Sequence, residues 1–65
     1  MDKYKDYKMF VVEISDEDEP DRFTTAFALT PEDAEREVDE ELREEEKERG
    51  LEPFSLVILE VNEEI

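Results

Sequence analysis

Apolar residues along this chain fall into four blocks separated by acidic stretches, and each block has a legible period. Tyr7 to Ile14 alternates with apolar residues on both sides. Phe10, Val12 and Ile14 share one face, and Tyr7, Met9 and Val11 share the other, a pattern suited to a central strand. Phe23 to Leu29 alternates again, with Phe23, Thr25, Phe27 and Leu29 on a large face and Thr24, Ala26 and Ala28 on a small one. Phe54 to Val61 predicts a third strand, in which Phe54, Leu56 and Ile58 alternate with Val57, Leu59 and Val61. Between the second and third strands the period lengthens. Ala34, Val38 and Leu42 lie four apart, the seam of a helix.

The helix has signals at both ends. Thr30 is a suitable N-cap, Pro31 fits the first turn, and Gly50 is placed to close the helix in a left-handed conformation. Acid at Glu32 and Asp33 and base at Lys47 and Arg49 suit its dipole. Glu32–Arg36, Asp39–Arg43 and Glu45–Arg49 are spaced for i,i+4 ion pairs. Beyond Leu42 no apolar residue follows before Gly50, so the turns from Arg43 to Arg49 are expected to project past the sheet into solvent. Residues 1 to 6 read as a lead-in, Ser15 to Asp21 as an acidic loop with Pro20, and Asn62 to Ile65 as a short tail.

These elements make one α+β domain over residues 1–65. The order is ββαβ, predicting a three-stranded antiparallel sheet in the order 2-1-3, with one long acidic helix packed on one face. A right-handed crossover through the helix brings the third strand beside the first. Phe10, Val12, Ile14, Phe23, Phe27 and Leu29 are expected to meet Ala34, Val38 and Leu42. The other sheet face is then left apolar, with Ala26, Ala28 and either Val57, Leu59 and Val61 or their alternates on it. Tyr7, Met9, Val11, Val57 and Leu59 are its candidate dimer-face residues. The second strand, with Thr24 and Thr25, is left as an edge.

Composition narrows the chemistry. The 65 residues hold neither Cys nor His, which excludes disulfides, thiolate or imidazole metal ligation and Cys/His catalysis. The longest apolar runs, Met9 to Val12 and Leu56 to Leu59, are too short to span a bilayer, and the first residues lack the apolar run of a signal peptide. A reducing cytoplasm is the expected location. Ser15 and Ser55 have no His to activate them, and one helix on a small sheet leaves little room for a cleft that separates carboxyl pKa values. The expectation is no enzyme, no cofactor and no metal. Counted from Asp16, the EF-hand positions 5, 6 and 12 fall on Pro20, Asp21 and Phe27, so that motif fails. Lys3, Lys5 and Lys8 interleave with Tyr4 and Tyr7, but Asp2 and Asp6 dilute any resemblance to a nucleic-acid contact set.

Charge then changes the picture. With 23 acidic and 8 basic side chains the chain carries a formal −15. Such a surface repels nucleic acid and anionic lipid and attracts basic proteins. Pro31 to Arg49 holds eleven acids and four bases, a net −7. Over about 28 Å of helix that is one charge per roughly 4 Å, against about 3.4 Å per phosphate along one DNA strand. Asp16, Glu17, Asp18 and Glu19 in the loop, and Glu37, Glu40, Glu41, Glu44, Glu45 and Glu48 on the helix, are the candidate partner-binding residues.

In size, charge and lack of catalytic residues the chain is similar to small acidic inhibitors encoded by phages and mobile elements. These include anti-restriction proteins, uracil-DNA glycosylase inhibitors and some anti-CRISPR proteins, though no motif identifies one family. The resemblance implies an inhibitor or modulator that occupies a nucleic-acid-binding protein by DNA or RNA charge mimicry. The competing expectation is a small dimerisation or adaptor domain that uses the open sheet face, its acidity serving solubility or salt adaptation.

Overall fold

The computed structural model describes residues 6–64. The reading of residues 1–5 as a lead-in, and of Ile65 as part of a tail, falls outside them. Strand β1 spans Lys8–Asp16, β2 spans Arg22–Ala28, helix α1 spans Pro31–Arg49 and β3 spans Leu56–Glu63. The sheet order is β2-β1-β3, and both pairings are antiparallel. The doubly apolar strand is therefore central.

Helix α1 begins and ends where its caps require. Thr30 is extended, its Oγ1 accepts the Asp33 N–H at 3.1 Å, and Pro31 occupies the first turn. At the other end Gly50 sits at φ 71°, with its N–H directed at the Lys47 carbonyl, while the Leu51 N–H donates to Glu46 O at 2.8 Å. That is a Schellman closure, and Leu51 then folds back onto the core.

The core lies between α1 and one face of the sheet. Val12, Ile14, Val38, Leu42 and Leu56 form its main cluster, and Phe10, Ala28 and Ala34 form a second beside it. Ala26 and Val61 pack against both.

Strand β2 is turned over relative to the expectation. Ala28 is buried and Ala26 half-buried beneath the helix, whereas Phe23 is 66% exposed and Phe27 59%. Register explains the inversion. Ala26 lies opposite Phe10 and Thr24 opposite Val12, so β2's small side shares the helix-facing surface. Phe10 already fills the volume below Ala34, and a second phenyl group there would overpack it. Leu29 lies just past the strand and is also exposed.

Three strand ends move by two residues. Strand β1 continues through Ser15 to Asp16 instead of entering the loop at Ser15. Strand β3 starts at Leu56, two residues later than expected, because Phe54 adopts φ 65° in the preceding turn. Its exposed ring lies under the Arg43 guanidinium, 4.3 Å from carbon to centroid. Strand β3 also runs through Asn62 and Glu63, and Glu64 N–H still donates to Met9 O at 2.8 Å, so most of the expected tail is sheet. A register shift at Glu13/Ile14 accommodates one extra β3 residue, and Val61 turns towards the helix, not the open face.

Candidate functional site

The C-terminal half of α1 does not project into solvent. Glu46 continues the four-residue spacing of Ala34, Val38 and Leu42, and it is 2% exposed. Its carboxylate accepts the Leu56 backbone N–H at 2.9 Å, while Arg43 Nη2 donates to the Leu56 carbonyl. Arg43 Nε lies 3.3 Å from Glu46 Oε1 and Nη2 lies 3.6 Å from Asp39. Two helix side chains thus satisfy both backbone groups of the first β3 residue.

A second polar cluster ties the helix end to β1 and β2. Arg49 Nη1 donates to Asp16 Oδ2 at 2.9 Å and to Glu45 Oε2 at 2.8 Å. Arg22 pairs with Glu45 and approaches Asp16 at 3.7 Å. The hydrogen bond from Arg49, then that from the Asp18 N–H, hold the Asp16 carboxyl below its ordinary value. Hydrogen bonds from Arg22 and then Arg49 do the same for Glu45. Both arginines are driven upward in return, Arg22 chiefly by Glu45 and Arg49 chiefly by Asp16.

This cluster removes two residues from the candidate partner-binding set. Asp16 ends β1 with a buried carboxylate, and Glu45 is spent on two arginines. The expected Glu32–Arg36 pair gives way to Asp33–Arg36 at 2.6 Å. The pairs Asp39–Arg43 and Glu45–Arg49 form as spaced.

The remaining helix acids form a row. At 100° per residue, Glu41, Glu48, Glu37, Glu44 and Glu40 fall within an arc of about 100° on one flank. Glu37, Glu40, Glu41 and Glu44 line one shallow concave surface. All five are exposed, and among the described residues no ion pair reaches any of them. The four arginines are engaged elsewhere: Arg22 and Arg49 under the helix end, Arg36 with Asp33, and Arg43 against β3. The row lies on the β2 side, since Glu37 shares a small cleft with Phe27, Ala28 and Leu29. Glu17, Asp18 and Glu19 are exposed in the β1–β2 turn. Their neighbour Asp16 meets Arg49, so the turn stands at the end of the row, not alongside it as a second row.

Met9, Val11 and Val57 lie on the sheet face away from the helix and Leu59 is exposed in the irregular stretch of β3, whereas Tyr7, just before β1, lines a cleft with Phe27 and the helix residues Asp33, Arg36 and Glu37. Phe23 and Phe27 join them and were not among the candidates. The signal that could have found them is register: pairing Ala26 with Phe10 forces Phe27 onto the side of Met9. Among the described residues no group of acids is arranged to hold a metal ion, and no helix is long and apolar enough to cross a membrane. No family pattern matches the chain, and no curated protein or solved structure is detectably similar to it.

Proposed function

We propose that this protein is an acidic protein-binding module, not an enzyme, and that it occupies a basic, nucleic-acid-binding surface by presenting phosphate-like charge. The observation that carries this reading is the segregation of charge on α1. Glu37, Glu40, Glu41, Glu44 and Glu48 stand exposed with no ion pair among the described residues, while every arginine pairs with a carboxylate outside the row. Like charges at i,i+4 oppose helix formation, so a row of them is a standing stability cost that solubility alone does not require. The helix under the row is fixed to the sheet along its length, so the carboxylates are carried on a preformed backbone and binding has no helix-ordering cost. A basic surface evolved to grip a phosphate backbone offers the complementary potential.

The test is capture from a nuclease-treated lysate of a candidate host at low salt. The reading expects DNA- or RNA-binding proteins to be retained and then released by added duplex DNA. Retention of none overturns it.

A second reading, self-association through the open sheet face, draws support from exposed Phe23, Phe27, Val57 and Leu59. Sedimentation of the native protein and of Val11→Glu or Leu59→Glu tests it. A dimer that survives salt and is split by either substitution favours this reading.

A further inference from the structure

The sheet face turned away from α1 has no cover within the described chain, and it is not uniformly apolar. Met9, Val11 and Phe27 lie towards one end, and Val57 and Leu59 towards the other. Between these two parts the register sets Glu13 directly opposite Glu60. Directly opposed residues hold their Cβ atoms about 4.5–5.5 Å apart, and like charges in that position repel. Neither carboxylate has an ion-pair partner among the described residues. No strand cation reaches them, because Lys8 and Arg22 alternate with the core residues and belong to the helix side.

We propose that this face docks a segment of a partner protein in which one Arg or Lys stands between apolar side chains. The cation lies over Glu13 and Glu60, and the apolar side chains cover the two apolar parts on either side. Charge complementarity selects this occupant over a second copy. A two-fold, face-to-face pairing would gather four carboxylates into one apolar interface with no strand cation to meet them. The inference does not rest on the acidic row of α1, which lies on the other side of the sheet.

Fluorescence anisotropy with a short labelled peptide tests it. The peptide alternates Ser with Ile, Val and Leu and carries one central Arg; its twin has Gln in that place. The native protein is expected to prefer the Arg peptide by at least roughly tenfold, the scale of a charge-assisted hydrogen-bonded pair. The double variant Glu13→Gln/Glu60→Gln, checked for a native melt, is expected to lose that preference. A variant with Gln at Glu37, Glu40, Glu41 and Glu44 is expected to keep it, which separates this inference from the reading of the helix. No binding of the Arg peptide, equal affinity for the two peptides, or an undiminished preference in the double variant overturns the proposal. So does a native dimer that Val11→Glu dissociates, since the occupant is then a second copy.

Discussion

The carboxylate of Glu46 accepts the backbone N–H of Leu56 at 2.9 Å, and both residues are almost fully buried. This contact fastens the polar half of α1 to the start of β3, where no apolar side chain of the helix is available. Glu46→Ala leaves the Leu56 N–H without its acceptor and removes the carboxylate that lies 3.3 Å from Arg43 Nε. It is expected to destabilise the fold by about 2–4 kcal/mol, whereas Glu46→Gln, which retains an acceptor oxygen, is expected to lose less. Chemical denaturation of the two variants beside the native protein measures the difference.

Acid sensitivity follows from the Asp16–Arg49–Glu45–Arg22 cluster. Asp16 and Glu45 have folded pKa values depressed below their ordinary 3.8 and 4.5. Groups shifted in that direction contribute stability above the unfolded pKa, and that contribution is lost as pH falls through the folded value. Melting curves from neutral pH downward are therefore expected to show native stability declining below about pH 4.5. In Asp16→Asn part of that decline is removed, and stability at neutral pH is lower. Parallel profiles for the two proteins would contradict the role given to the cluster.

The inversion of β2 makes opposite forecasts for adjacent residues. Phe27→Ser alters an exposed ring and is expected to change stability by less than about 0.5 kcal/mol in the monomer. Ala28→Leu inserts bulk beside Phe10 and Ala34 and is expected to destabilise by about 1–3 kcal/mol. Thermal melts that rank the two the other way would restore the larger residues to the core.

Neutralising the acidic row is expected to stabilise the isolated protein. Glu37–Glu41, Glu40–Glu44 and Glu44–Glu48 are i,i+4 like-charge pairs, each opposing the helix by about 0.2–0.5 kcal/mol. A variant with Gln at all five positions should melt higher in dilute buffer, and the gain should shrink as KCl rises. A lower melt would show that the row supports the fold.

Much of this architecture was legible because its signals are local. Thr30, Pro31 and Gly50 mark the helix ends by backbone chemistry that tertiary contacts seldom override, and β1 declares its central place by being apolar on both faces. Strand β2 misled because side-chain size is a poor guide to facing when the neighbouring strand already supplies the bulk. There the register with Phe10 decided the outcome. The docking of the helix end was hidden from a search for apolar periodicity because its contacts are polar. Yet the spacing of Ala34, Val38 and Leu42 runs on to Glu46, and that position was a readable cue. The acidic row was legible in outline. The i,i+4 spacing of Glu45 and Arg49 already marked Glu45 as engaged, but the loss of Asp16 was not legible, because Arg49 reaches it across 33 residues of sequence.

The central claim is that an ordered, uncompensated row of glutamates engages a basic surface. It is tested most directly by measuring the affinity of a captured nucleic-acid-binding partner across a KCl series. The native protein should bind with a steep, inverse dependence on salt, and duplex DNA should compete. The five-Gln variant should bind weakly, with a nearly flat salt dependence. Equal affinity and equal salt slope for the two proteins would contradict the account.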